Sequence, residues 1–427
     1  MAEPAEAVRA AVEAERERAE ALFAQLRRDG LDPPGVSRDP YGAGEERAHA
    51  TIAAEAERLG LTIRRDAACN LYMTWPGRDR AAPAVLTGSH LDSVPHGGNF
   101  DGAAGVVAGL IAVGALQRLG VTPACDVTVM GIRAEESIWF EVSYIGSRGA
   151  LGALPEGALT ARRRDTGRTL AEHIAECGGD PARLAAGERA LDPSQLRAFL
   201  ELHIEQAPSL VEAGRAVAIC SGIPGNFRYP DARIEGSHDH VGLPRRFRRD
   251  AALAGADFFT ALDRAWERRD AAGVPMACTI GRFHTDPAQH GLTIVPGLFR
   301  FSLDVRAYDP AVLAALEREV LQIAEDVAAR RRVRFDFGPR ASAAVGRMDP
   351  AIRAGLKGAA AELGIDADDL GSPASHDAAA FAAAGVPTGM IFVRNQNGSH
   401  NPHEAMEIDD FLAGCAVLTR WLAAGTV

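Results

Sequence analysis

Six side chains of the kinds that bind metal ions punctuate this chain: His90, Asp101, Glu135, Glu136, His203 and His400. Apolar residues from Ala84 to Leu86 lead into His90. Gly97, Gly98 and Gly102 then bracket Asp101 in a tight turn before the Gly/Ala-rich run Ala103 to Leu116. The expected order is strand, loop, helix, with both groups beyond the carboxyl end of the strand, where open α/β sheets place their ligands. A carboxylate there can bridge two cations, because each oxygen can face a different ion while the imidazole takes one of them. Alone, either residue reads as a surface histidine or a turn aspartate. The other four change that reading. Asp126 to Arg133 reads as a strand ending in Ala134-Glu135-Glu136, and Phe199 to Gln206 as a half-buried strand whose alternation puts Glu201, His203 and Glu205 on one side. His400 stands in Gly398-Ser-His-Asn-Pro-His403. Histidines and carboxylates gathered at sheet edges match a two-metal hydrolytic centre, whose ions lie ~3.5–4 Å apart.

The elements that must position these groups follow from periodicity. Ala5 to Arg28 and Gly44 to Leu59 carry apolar residues at helical spacing, and Leu61 to Trp75 alternates as a strand. After residue 212 the composition shifts to strand-like Val217 to Ser221 and Phe227 to Ile234, then a helix from Asp250 to Arg269. Two more strands, Ala277 to Phe283 and Thr293 to Val305, a helix from Pro310 to Arg331 and a strand from Val333 to Phe337 follow. That βαββαβ-like order predicts a self-contained α+β unit over 213–337, inserted in a larger α/β domain formed by 1–212 and 338–427. The chain returns through a helix, Ser375-His-Asp377, the apolar strand Gly389 to Val393 and a terminal helix.

A length of 427 residues allows two or three domains, and 47% hydrophobic with 24% charged residues is ample for a core. The net charge of −11 argues against a nucleic-acid or anionic-membrane partner and leaves a small molecule as the expected substrate. The six cysteines are scattered without a C-x-x-C, which suggests neither a disulfide framework nor a thiolate metal site. The charged, helical N-terminus lacks the pattern of a signal peptide, so a cytoplasmic protein is expected. The longest apolar run, Gly102 to Leu116, is too short to span a bilayer of ~30 Å.

The segments GSHLDSVPHGGNFDG, AEES, ELHIEQ, SHD and GSHNPHE, in that order and with an inserted domain between the third and fourth, resemble the amidohydrolases of the M20 metallopeptidase clan. The resemblance is to the N-carbamoyl-L-amino-acid hydrolase and allantoate amidohydrolase (hydantoinase/carbamoylase) branch, and it covers nearly the whole chain. It implies a central mixed sheet flanked by helices, like a di-metal aminopeptidase, with a ferredoxin-like lid and dimerisation domain, hence a homodimer. It also implies hydrolysis of a linear C–N bond in an N-carbamoyl amino acid or allantoate-like compound. By the same resemblance His90 and His203 bind one metal each or share that duty with Glu136 and His400, Asp101 bridges both ions, and Glu135 is the general base acting on a bridging water. His240 corresponds to the lid histidine that donates to the developing oxyanion, with His238 as a rival, and Arg306 to the arginine that pairs with a substrate carboxylate. Gln206 and His376 would contact or line the substrate site, and Glu404 would brace it from behind. His403 competes with His400, but the Ser-His-Asn-Pro pattern assigns the ligand role to His400. Two divalent ions are implied. Ligands without thiolate admit Zn or Mn, and also Co or Ni.

Departures from the branch touch specificity. Ser137-Ile-Trp139 stands where the branch commonly has Gly-x-Arg, Thr293 where it has Asn, and the lid segment after His240 is one residue shorter. Threonine replaces only part of an amide's hydrogen bonding. A hydrolase of an N-acyl amino acid, a dipeptide or another small amide is therefore the alternative, followed by a catalytically silent dimeric binding protein.

Overall fold

The structure, a computed structural model, describes residues 4–426. The chain divides into two compact units: one runs up to Ile223 and resumes at Arg347, and the other is Pro224–Gly346. Among the described residues no helix is long and apolar enough to cross a membrane.

The first unit is built on a nine-stranded mixed sheet. Its main run has the order Val217–Ile223, Thr388–Val393, Leu196–Ile204, Ala84–His90, Val127–Ile132, Leu71–Trp75 and Thr62–Arg65. The four strands from Thr388–Val393 to Val127–Ile132 are parallel, and their register sets His90 beside Ile132 and His203 beside Phe392. One end of the sheet therefore gathers the carboxyl ends of strands far apart in the chain. Leu196–Ile204 is buried along almost its whole length, not along one face only. Parallel strands on both flanks and helices on both faces explain the difference from the half-buried expectation. Val217–Ile223, read from the sequence as the first strand of the insert, pairs antiparallel with Thr388–Val393 and belongs to the large sheet.

The helix Ala103–Arg118 lies close under this sheet, and residues Ala103 to Leu116 are all buried. Its glycines make the approach possible: a Cβ at Gly105 would stand 2.3 Å from the carbonyl oxygen of Leu202. The N-terminal pattern forms two helices, Ala5–Glu13 and Arg16–Asp29. Glu15, at the break, turns its buried carboxylate to Arg118 at 2.9 Å. Leu61 to Trp75 is an antiparallel pair, Thr62–Arg65 with Leu71–Trp75, because Asp66 closes a turn by accepting the amides of Ala68 and Asn70 at 2.9 Å.

The second unit is an antiparallel sheet with the core order Met276–Thr279, Leu298–Ala307, Gly225–Glu235, Arg334–Asp336. With the helices Ala251–Ala271 and Pro310–Arg331 it has the βαββαβ order and strand arrangement of a ferredoxin-like domain. Leu298–Ala307 buries every second residue, so Phe299, Phe301, Leu303 and Val305 face the core. Phe301 packs against Phe258 and Phe335, with ring centroids 5.6 and 6.4 Å away.

Candidate metal centre

His90 is the last residue of its strand, and the loop after it folds back on the strand end. Gly102 starts the following helix at φ 66°, and a Cβ there would sit 2.5 Å from the His90 ring. The imidazole fills the space that glycine leaves. The loop is fixed by Arg38, which is fully buried and donates through Nε to the carbonyl of Leu91 at 2.7 Å and through Nη1 to Asn99 at 3.3 Å. Glu404 accepts the amides of Phe100 at 2.8 Å and Asp101 at 3.2 Å, and Ser399 Oγ lies within hydrogen-bond reach of the carboxylates of both Glu404 and Asp101. Asp101 is thereby held from two sides of the chain.

Both strand histidines present Nε2 to this carboxylate. His203 Nδ1–H donates to the Ile204 carbonyl at 2.8 Å, and its Nε2 accepts the Gly102 amide at 3.3 Å while lying 3.2 Å from Asp101 Oδ1. His90 Nδ1–H faces the Asp92 carbonyl at 3.1 Å, leaving Nε2 3.5 Å from the same oxygen. On the other side, His400 Nε2 is 3.3 Å from Asp101 Oδ2 and 3.1 Å from Glu136 Oε1. The result is two groups of converging ligand atoms, His90–Asp101–His203 and Asp101–Glu136–His400, that share Asp101.

These residues fit divalent metal binding. Asp101 Oδ1 is buried and has no hydrogen-bond donor, while Nε2 of His90 and Nε2 of His203 lie 3.5 and 3.2 Å from it. Acceptors converging on an acceptor call for a cation between them. Protons can occupy the same contacts in place of a metal. Hydrogen bonds to Asp101 and Glu136 raise His400 to about 11, and Asp101 stays well below the usual carboxylate range because His203, His400 and His90 outweigh its burial. A third cluster, Glu201–His203–His376, differs. Glu201 already accepts from Ser89 Oγ at 2.6 Å and the Ala378 amide at 2.9 Å, and His376 Nε2 pairs with Ser372 Oγ at 2.9 Å. This set braces His203, whose ring is 4.3 Å from that of His376.

Glu135 and Glu136 follow the strand Val127–Ile132 through Ala134, which is left-handed at φ 52°. Two carboxylates that sequence reasoning did not single out hold this corner. Asp92 accepts the amides of Glu135 and Glu136, both at 3.0 Å, and lies 3.3 Å from His90 Nδ1. Glu45 accepts the Ala134 amide and Arg133 Nη1, both at 2.9 Å. The spacing His90-x-Asp92 was a readable signal, since alternate residues share a side of an extended chain; Glu45 has no comparable signature. Glu135 itself is buried. Burial raises its pKa well above the usual carboxylate range, against His90 and with the help of Glu136, Asp377 and Asp92. That direction suits a group that takes up a proton and releases it again.

The other expected residues fall in two places. Gln206 joins the cluster, donating Nε2–H to Asp101 Oδ2 at 2.8 Å while its Oε1 is buried and unpartnered. His240 and Thr293 stand together in the second unit, where Val241 N–H donates to the Thr293 carbonyl at 2.9 Å. Arg306 in that unit is engaged by Asp304 at 3.0 Å. Trp139 donates its indole N–H to the Ser93 carbonyl at 2.9 Å, with Arg163 stacked 5.0 Å above its ring.

Residues 86–424 match Peptidase family M20/M25/M40. The chain belongs to this family. Within this family of hydrolases it stands in the hydantoinase/carbamoylase branch. It is 35% identical to the N-carbamoyl-L-amino acid amidohydrolase of Geobacillus stearothermophilus, over 91% of this chain and 94% of that one. It is 28% identical to the allantoate amidohydrolase of Escherichia coli strain K12, over 92% and 94%. The crystal structure of a hydantoinase/carbamoylase family amidase from Burkholderia ambifaria superposes with a TM-score of 0.82 at 30% identity, covering 96% of this chain and 98% of that one.

Proposed function

We propose that this M20 enzyme hydrolyses the ureido C–N bond of an N-carbamoyl amino acid or an allantoate-like compound. The observation that carries this is one carboxylate, Asp101, shared by two ligand sets, with the buried acid Glu135 next in sequence to the ligand Glu136. His90, Asp101, Glu136, His203 and His400 would hold two divalent ions, Zn or Mn, with Co or Ni also compatible. When bound, such ions polarise the carbonyl and acidify water, which a ureido carbonyl needs because two nitrogen lone pairs make it a poor electrophile. Glu135 accepts the proton of the attacking water and passes it to the leaving nitrogen. Asp92 holds the backbone of both glutamates, and Gln206 keeps Asp101 oriented while offering Oε1 to a substrate N–H. For His240 and Arg306 we keep donation to the developing oxyanion and pairing with a substrate carboxylate; Thr293 and His376 would shape specificity. A homodimer through the Pro224–Gly346 unit fits its exposed Phe283 and Leu292.

The test is release of ammonia and amine by the Mn- or Zn-loaded protein over N-carbamoyl L-amino acids, allantoate, N-acyl amino acids and dipeptides. Ammonia with amine supports the proposal. Amine without ammonia supports hydrolysis of a small amide instead, a reading favoured by Trp139, whose locked indole occupies the place of an arginine in the branch.

A further inference from the structure

Two runs of arginine in the second unit are not used by the reaction: Arg245-Arg246-Phe247-Arg248-Arg249 and Arg330-Arg331-Arg332. They meet at a cavity of about 560 Å³ lined by six of these arginines together with Asp250 and Leu253, a size suited to a small ligand. The carboxylates nearby do not balance these charges. Asp257 pairs with Arg330 at 2.9 Å and Arg331 at 2.7 Å, and Asp250 caps the helix Ala251–Ala271 through the Leu253 amide at 3.0 Å, so two carboxylates stand against six arginines. Arg245 and Arg246 have neither a hydrogen bond nor an ion pair from their guanidinium groups among the described residues, and Arg246 rests on the Phe247 ring at 4.5 Å.

Two of the cations are held in place by the backbone. Arg248 Nε donates to the Leu243 carbonyl at 2.7 Å and its Nη2 to the carbonyl of Val241. Arg332 Nη2 donates to the carbonyls of Arg246 and Arg248. Carbonyls orient a guanidinium without neutralising it, and three N–H groups of Arg248 stay available. Arg332 also ends the helix Pro310–Arg331 in the left-handed region, at φ 57°, where glycine is the unstrained choice. The strained backbone carries a side chain back across the neighbouring loop.

The geometry points to a binding site for a compact polyanion of the di- or triphosphate class in this arginine cavity. Among the described residues, four guanidinium groups there (Arg245, Arg246, Arg248 and Arg332) make no ion pair with a carboxylate, in a chain whose net charge is −11. Planar guanidinium forks suit phosphate oxygens, and several charges on one small molecule match several on the wall. The exposed Leu253 in the lining, and the exposed Phe247 under Arg246, provide apolar surface for a nucleoside attached to the phosphates.

The experiment is calorimetric titration of the metal-loaded protein with tripolyphosphate, ATP and citrate at constant ionic strength, repeated after chelation of the metals. Saturable tripolyphosphate binding that survives chelation is expected, weakened at least about tenfold in the double variant Arg245→Ala/Arg246→Ala. Arg332→Gly, which fits the left-handed backbone, should weaken binding without lowering Tm. ATP binding tighter than tripolyphosphate would extend the site to the nucleoside. No saturable binding at millimolar ligand, binding lost on chelation, binding unchanged in both variants, or citrate bound as tightly as tripolyphosphate would each overturn the assignment.

Discussion

Asp101 and Asp92 divide the work at the residue scale: one faces the cation space with both oxygens, and the other has both oxygens on the backbone of Glu135 and Glu136. Replacing Asp92 by Ala frees the Glu135 and Glu136 amides and removes the carboxylate 3.3 Å from His90 Nδ1, so metal affinity is expected to fall about 10–100-fold, read by competition with a chromogenic chelator. Glu135→Gln keeps the shape and removes the proton acceptor. It should lower kcat about a thousandfold with metal content, measured by mass spectrometry, unchanged; turnover at the wild-type rate with metals bound would sink the mechanism. The six candidates that the fold brings to one end of the sheet, His90, Asp101, Glu135, Glu136, His203 and His400, were legible in the sequence because their types and local motifs are chemically restricted. Asp92 was legible in principle. Glu45 and Arg38 were not: each lies more than 50 residues from what it holds, and only the folded chain makes Glu45 a partner of Ala134.

At the scale of elements, the strand–turn–helix from Ala84 to Arg118 depends on two glycines for two reasons. Gly105 lets the helix approach the Leu202 carbonyl, and Gly102 leaves room for the His90 ring while adopting φ 66°. Gly102→Ala adds left-handed strain of about 1 kcal/mol or more and pushes on the His90 ring. A folded protein by far-UV circular dichroism with greatly reduced metal binding is the expected result; wild-type metal affinity would show that the ring has room to move. Strand existence was readable here, but strand environment was not. Leu196–Ile204 looked half-buried because charged residues alternate along it. In the fold Glu201 is satisfied by Ser89 and the Ala378 amide, so the polar side is an interior too.

On the scale of the whole molecule, stability joins metal binding to surface charge. If two ions bind only the folded first unit, chelation should abolish activity, lower Tm by several degrees and be reversed by adding metal back. In the second unit Arg331 and Arg330 hold Asp257 below the ordinary carboxylate value. A depressed folded-state pKa contributes stability above the unfolded value near 4 and loses it as the pH falls through the lowered one. Asp257→Asn should therefore cost at most about 1 kcal/mol at pH 7, because the pair is partly exposed. That cost should shrink as the pH falls from about 5 through 3, as urea titrations would reveal.

The sequence by itself determined the ligand types, the order of the motifs and the presence of an inserted βαββαβ unit, because each rests on local periodicity or on residues whose chemistry has few substitutes. Tertiary structure alone decided what depends on distance. It set Val217–Ile223 in the large sheet through pairing with Thr388–Val393, a partner far along the chain that no periodicity specifies. It made Asp101 the residue common to two ligand sets and brought two remote arginine runs to one cavity. Side-chain type is written in the chain, whereas convergence requires the strands, turns and helix ends that carry those side chains to close on one another.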